Sequence, residues 1–299
     1  MSTSESALAQ RHITIVGLGL MGGSLALALR GKCAGITAVE CDAGARHSGL
    51  QRGVVNHATE SLAEGVERAE LLVLATPVRV ILELLAQLRQ LQPRRQTTLP
   101  VLDLGSTKAE ITAAMATLPE RFDCIGGHPM CGKETGGLAH ADAALYRRAA
   151  FVLTPSTETS AETLALAREV ALAAGARPLQ MEPTRHDRLV ALTSHLPYLL
   201  ACSLVAAVEQ RGNDDLGVWE LVSTGFRDTT RVAASDVRML SDILHTNKDA
   251  VREALWQQRH ALEALEAALD GDAASLQAAL SPIRAARQRH FPPAPAENE

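Results

Sequence analysis

The segment His12-Ile13-Thr14-Ile15-Val16-Gly17-Leu18-Gly19-Leu20-Met21-Gly22 decides how the first half of the chain folds. Its leading residues are mostly β-branched and predict a strand. That strand runs directly into G-x-G-x-x-G, and an Ala/Leu-rich helix follows from Leu20 to about Leu29. In this setting Gly17 permits a tight turn, Gly19 lets the backbone approach a pyrophosphate, and Gly22 allows close packing of helix on strand. The N–H groups at the helix start, around Leu20 and Met21, point at such an anion. A lone G-x-G-x-x-G is a weak signal, but here it sits after the first strand, and the second strand ends in acid. That acid is Glu40, placed to accept hydrogen bonds from ribose hydroxyls and to repel a 2′-phosphate. The pattern favours NAD over NADP, with Asp42 as the alternative acid.

Further strands are expected at 36–40 (ITAVE), 70–75 (ELLVLA), 99–105 (LPVLDLG), 122–127 (FDCIGG), 149–155 (AAFVLTP) and 176–183 (ARPLQMEP). Helical stretches separate several of them, so right-handed βαβ units and a parallel sheet are expected. From His186 to His290 only helical periodicity remains, including a leucine stripe at Leu255, Leu262, Leu265 and Leu269. The fold class is therefore α/β: a doubly wound parallel sheet in residues 1–183, followed by an all-helical part in residues 184–299. The Pro-rich end, FPPAPAENE, reads as a disordered tail.

Composition narrows the function classes. Aromatic residues make up 3% of the 299, against 46% hydrophobic residues, so the core is aliphatic and an aromatic-stacking nucleic-acid platform is disfavoured. The net charge of −5 offers no basic face for a phosphate backbone. Five cysteines without C-x-x-C spacing argue against a disulfide framework or thiolate metal site and point to a reducing cytoplasm. The polar start MSTSESALAQ does not read as a signal peptide. The longest apolar stretch, Leu196 to Val208, is shorter than a bilayer span. No membrane, nucleic-acid or metal partner is expected.

Chemistry-bearing residues gather in loops after strand ends, where doubly wound sheets bind ligands. Thr76-Pro77 is the first such loop and Gly105-Ser106-Thr107-Lys108 the second. The third, residues 126–137, has five glycines in twelve residues around a His, a Lys and a Glu. Such loops carry function more often than packing. Here His128 is the candidate general base, held extended by Pro129. Thr107-Lys108-Ala109-Glu110 fits a capping box and so frees Ser106 for a ligand. In the helical part, His186-Asp187 opens a helix and Ser194-His195-Leu196-Pro197-Tyr198 interrupts it. His186 and His195 read first as capping or core histidines. Arg227 and Arg231, four apart, share a helix face and either could clamp a carboxylate; a solvated face paired with Asp228 is the competing reading.

Taken in order, VGLGLMGGSLALAL, ATPV, DLGSTK, GGHPMCGKETGG, SHLP and GFRDTTRVAASD resemble the prephenate/arogenate dehydrogenase family of tyrosine biosynthesis, over about residues 12 to 260. The resemblance implies NAD-dependent oxidative decarboxylation of a cyclohexadienol carrying a ring carboxylate. It implies that His128, aided by Ser106, takes the proton of the 4-hydroxyl and that Arg231 pairs with a substrate carboxylate. It also implies an ionic network of Glu134 and Asp228 with that Arg, a pocket lined by His195, Tyr198 and Thr135, and a homodimer through a helical dimerisation domain. Many prephenate-specific members read S-H-L-P-H, whereas Tyr198 stands at the last position here. Substrate preference, prephenate or arogenate, therefore stays open. β-Hydroxyacid dehydrogenases are the competing enzyme class, but they would place a Lys and an Asn on one helical turn, whereas Asn247 and Lys248 are adjacent. A non-catalytic NAD sensor would leave His128, Ser106 and Arg231 without purpose.

Overall fold

The computed structural model describes residues 7–94, 97–133, 135–212, 215 and 217–291. The strands are β1 (His12–Val16), β2 (Gly35–Val39), β3 (His57–Thr59), β4 (Leu71–Leu74), β5 (Leu99–Asp103), β6 (Phe122–Pro129), β7 (Ala150–Pro155) and β8 (Arg177–Gln180). They form one sheet in the order β3-β2-β1-β4-β5-β6-β7-β8. The order reverses between β1 and β4, the crevice where such sheets take ligands. β3 was not evident from the sequence, because its three residues are all half-buried and carry no alternation.

Six strands run parallel, but β7 lies antiparallel to β6, with β8 parallel to β7. This corrects the expectation of an all-parallel sheet. A parallel return needs a crossover of a dozen or more residues, usually helical. Between β6 and β7 the glycine-rich loop offers only the short 3₁₀ turn Leu138–His140, so the chain folds straight back.

Alternation along the strands sorts the core into two layers. Ile13, Ile15, Leu71 and Val73 face one side, packed with Leu25, Leu29, Leu166 and Val170 from helices Leu20–Leu29 and Ala161–Ala173. Val16, Leu72 and Leu74 face the other, packed with Val78, Ile81 and Leu85 from helix Val78–Gln90. Leu240 and Ile243, from helix Val237–Thr246, join this second layer. Contacts thus knit part of the helical half onto the sheet, and the chain divides into compact units Met1–Lys248 and Asp249–Glu299.

The segment 183–212 differs from its sequence reading. Instead of breaking at Ser194–Tyr198, the helix Pro183–Val190 passes through a π turn, Ala191–His195, into helix Leu196–Gly212. Pro197 cannot donate to the carbonyl four residues back, and the wider turn absorbs that mismatch. The resulting 30-residue helix is by length and composition long enough to cross a bilayer, unlike the short stretch first considered. It packs instead on helix Thr224–Thr230 and the 3₁₀ turn Arg231–Ala234.

In helix Lys248–Leu269 the expected stripe is part exposed, with Leu262 at 52% and Leu269 at 66% while Leu255 and Leu265 are half-buried, and helix Ala273–His290 follows it. Leu280 and Ile283 are exposed as well. The FPPAPAENE tail beyond Phe291 lies outside the described residues.

Two glycines meet the demands of the first turn. Gly17 adopts φ +95°, and a Cβ on Gly22 would sit 1.9 Å from the Gly17 carbonyl oxygen. Gly22→Ala is therefore expected to force the first helix off β1 and cost about 1–3 kcal/mol, measurable as a lower midpoint in chemical denaturation.

Candidate active site

At the carboxyl ends of β1 and β2 the glycine loop is fastened by backbone and by Glu40. Gly17 N donates to Val39 O at 2.8 Å. Leu18 N donates to Glu40 Oε2 at 2.7 Å, and Asp42 N to Glu40 Oε1 at 2.9 Å. Asp42 itself caps the next helix, accepting from Ala45 N at 2.6 Å, so Glu40 is the acid aimed at the loop. A Cβ on Gly19 would meet nothing within 4 Å, and the helix start at Leu20 and Met21 has no side-chain cap. Across the crevice, the hydroxyl of Thr76 is buried without a partner, and Pro77 begins helix Val78–Gln90. An open glycine, uncapped amides, a fixed carboxylate and an orphaned hydroxyl fit a dinucleotide lying along this edge.

Further along the same edge, β6 delivers His128, half-buried, one residue from its end. Its Nδ1 lies 2.8 Å from Nε2 of His186, and Nδ1 of His186 lies 2.8 Å from Oδ1 of Asp187. One proton position follows from chemistry. A carboxylate only accepts, so His186 Nδ1 donates to Asp187. A base at His128 needs Nε2 free to accept, and that arrangement has His128 Nδ1 donating to Nε2 of His186. Asp187 is held in turn: Lys108 N and Ala109 N donate to its two oxygens, each at 2.8 Å.

Those two amides open helix Ala109–Met115, which corrects the capping-box expectation. Thr107 does not cap; its hydroxyl pairs with that of Thr246 at 2.9 Å. The cap comes from Asp187, 78 residues away, because a buried carboxylate satisfies two orphan amides at once. Ser106 sits half-buried between Gly105 and Thr107, on the loop this cap secures.

His186 is 1% exposed and Asp187 3%, as a core histidine would be, and the hydrogen bond from His186 to His128 ties both to the candidate site. Their available signal was the His-Asp pair directly behind Glu182-Pro183, a helix start placed after the last strand. His195, in the π turn, faces Asn247 Nδ2 at 3.2 Å, and the same amide donates to Asp187 O at 2.7 Å. In the sequence Asn247 stands out only through its Lys248 neighbour; its buried amide ties two histidine-bearing turns together.

Burial sets the electrostatics. Loss of water around the ring holds the His128 pKa well below the usual 6.5, with His186, Lys108 and His195 pushing the same way. Burial takes His195 down to about 4, against an opposing pull from Asp187. His128 is thus neutral, and competent to accept a proton, across the neutral range.

The other expected residues are more dispersed. Tyr198 packs half-buried against the second core layer, and burial raises its phenol pKa. Arg231 is exposed where helix Thr224–Thr230 passes into the 3₁₀ turn, so it does not continue the helix face of Arg227. Asp228 and Thr135 are exposed, and Glu134 lies outside the described residues.

A sequence model described as "Prephenate dehydrogenase, nucleotide-binding domain" matches residues 25–179, and one described as "Prephenate dehydrogenase, dimerization domain" matches residues 182–281. The chain belongs to the prephenate dehydrogenase family. Within it, the prephenate dehydrogenase of Bacillus subtilis (strain 168) is 34% identical over 242 residues, covering 80% of this chain and 65% of that protein. This chain therefore spans just under two thirds of that relative's length. The crystal structure of A. aeolicus prephenate dehydrogenase in complex with hydroxyphenyl propionate and NAD+ superposes with a TM-score of 0.87, at 28% identity over 95% of this chain and all of that one. Synechocystis arogenate dehydrogenase superposes with a TM-score of 0.81, at 30% identity over 94% of this chain and all of that one.

The hydrogen-bonded chain predicts how the imidazoles titrate. Followed by nitrogen-15 NMR, His195 should show a midpoint near 4, and His128 should stay neutral with its proton on Nδ1 through pH 6.5. Midpoints near 6.5 for both would contradict the network.

Proposed function

We propose that this chain is an NAD-dependent prephenate dehydrogenase, oxidising and decarboxylating prephenate to 4-hydroxyphenylpyruvate in tyrosine biosynthesis. The observation that carries the reading is the His128–His186–Asp187 chain, which holds a neutral imidazole on the same sheet edge as the glycine loop. Family membership and the neighbour bound to hydroxyphenyl propionate and NAD+ support it.

Gly17, Gly19, Leu20, Met21 and Gly22 would hold the pyrophosphate, Glu40 the ribose, and Thr76 and Pro77 the opposite wall. Glu40 favours NAD over NADP. A bound nicotinamide would supply the hydride acceptor for C4 of the ring. The chain's own residues do the rest. His128 Nε2 takes the proton of the 4-hydroxyl, so the oxygen lone pair can form the C4 carbonyl as hydride departs. The new positive charge on His128 is shared along Nδ1–H to His186 and Asp187. Ser106 orients the same hydroxyl. The C1 carboxylate leaves as CO2, its bonding electrons aromatising the ring and turning the C4 carbonyl into a phenolate that takes the proton back from His128, so no group on the protein need attack carbon. Arg231 pairs with a substrate carboxylate, Glu134 and Asp228 tune that Arg, and His195, Tyr198 and Thr135 line the pocket.

A second reading, arogenate or dual-specificity activity giving tyrosine directly, is favoured by Tyr198 in place of the histidine of S-H-L-P-H. The arogenate dehydrogenase neighbour and a cyclohexadienyl dehydrogenase of Zymomonas mobilis, 29% identical over 268 residues, support it.

The division into an NAD-binding part, 1–183, and a helical part, 184–299, is supported by the end of the sheet at Gln180 and by the family models meeting between 179 and 182. The helical part forms a homodimer, which the exposed Leu262, Leu269, Leu280 and Ile283 and the dimerization-domain match support. The protein works in the cytoplasm, in keeping with its free cysteines.

His128→Ala should lower kcat by about 10²–10⁴-fold while NAD+ binding, followed by calorimetry, is retained; near-normal turnover contradicts the mechanism. Because the His128 pKa is depressed, wild-type kcat/KM should hold level at neutral pH and fall only below the ordinary imidazole range. Arg231→Ala should raise KM far more than it lowers kcat. Rates on prephenate and arogenate, each with NAD+ and NADP+, decide substrate and cofactor.

A further inference from the structure

Among the described residues Lys108 is the one fully buried lysine or arginine. Burying a cation is costly unless it is paired and fully hydrogen-bonded, so its partners show what it is for. Its ammonium pairs with the equally buried Asp103 and donates to the carbonyl of Gly127 at 2.6 Å. Asp103 accepts from Gly127 N at 3.1 Å and from Gly105 N at 2.8 Å. Whichever partner holds the proton, the pair carries no net charge.

The sheet explains why the pair sits there. The last β5–β6 partners are Leu102 and Ile125, so β6 outruns β5 from Gly126 onward. β7 still pairs with that extension on the other side, through Pro129. The Gly127 peptide groups that point towards the missing neighbour find Asp103 and Lys108 instead. The same residue also meets the far end of the histidine chain, since Lys108 N donates to Asp187 Oδ1.

We propose that Lys108, with Asp103, is a positioning residue for the reaction: its side chain grips the peptide immediately before His128, while its backbone grips Asp187, fixing both ends of the His128–His186–Asp187 chain. The proposal rests on His128 being the base of the proposed reaction. Ser106 shares the consequence, because the turn carrying it is closed by Asp103 on one side and Lys108 on the other.

Lys108→Met would leave Asp103 buried without its partner, so the main variant is Asp103→Asn/Lys108→Met, which removes both charges. Lys108→Gln stays polar but falls short of Gly127, and is the milder second variant. The full chain with NAD+ is used throughout. The double variant should lose about 10²-fold in kcat, the scale expected for a small misplacement of the base, with KM and NAD+ affinity within about threefold. Lys108→Gln should lose about tenfold, a smaller displacement of the same kind. Nitrogen-15 spectra of either variant should show His128 in both tautomers, where the wild type shows the Nδ1–H form. The base is faced by His186, Asp187, His195, Lys108 and Asp103, so the acid limb of the rate profile should move as well. Full kcat with an unchanged His128 spectrum overturns the proposal. A loss of kcat matched by equal losses in NAD+ affinity and KM also overturns it, as does failure of both variants to fold, since each makes the role purely structural. If the wild type turns over neither substrate, the dehydrogenase reading fails, and the tautomer comparison still decides the clamp.

Discussion

The carboxylate of Asp187 is the interaction on which the site depends. It accepts two backbone amides from the start of helix Ala109–Met115 and the imidazole of His186, so one buried group joins the loop after β5 to the helix after β8. A carboxylate 3% exposed is stable only when its lone pairs are so engaged. Once they are, Asp187 holds the His186 ring and His186 in turn holds that of His128. His128 is thus oriented through a cap that is also a tertiary contact.

This arrangement explains why helix Pro183–Val190 and the edge of the sheet that carries the glycine loop share one compact unit. Buried polar bonds tie the turns carrying Asp187, His195 and Asn247 to one another, and Asp187 to the loop after β5, while Leu240 and Ile243 add apolar contact to the sheet. Burial that lowers the His128 pKa comes from the same packing. Orientation and basicity are therefore not independent properties of the site.

Local chemistry was legible in the sequence where a residue's role depends on its neighbours in the chain. The glycine turn, its following helix, Glu40 and the strands flanking them were all readable, because each depends on a few consecutive residues. His128 stood out for the same reason, framed by glycines and Pro129. Partners separated by many residues were not legible. Asp187 as the cap of residues 108–109 and Lys108 under Gly127 need the tertiary fold to bring them together. The antiparallel β7 was not legible because the 20-residue connection, with only a short 3₁₀ turn among its described residues, resembles a crossover in length but not in shape. The π turn at Ala191–His195 was read as a break, since Pro197 ordinarily ends a helix.

The most direct test of the whole account is product stoichiometry with the purified full-length chain, NAD+ and prephenate at neutral pH. The account predicts that NADH and CO2 appear in equal amounts, with 4-hydroxyphenylpyruvate as the organic product, and that arogenate in its place gives tyrosine with the same ratio if the second reading holds. NADH without CO2, or no NADH from either substrate, would contradict it.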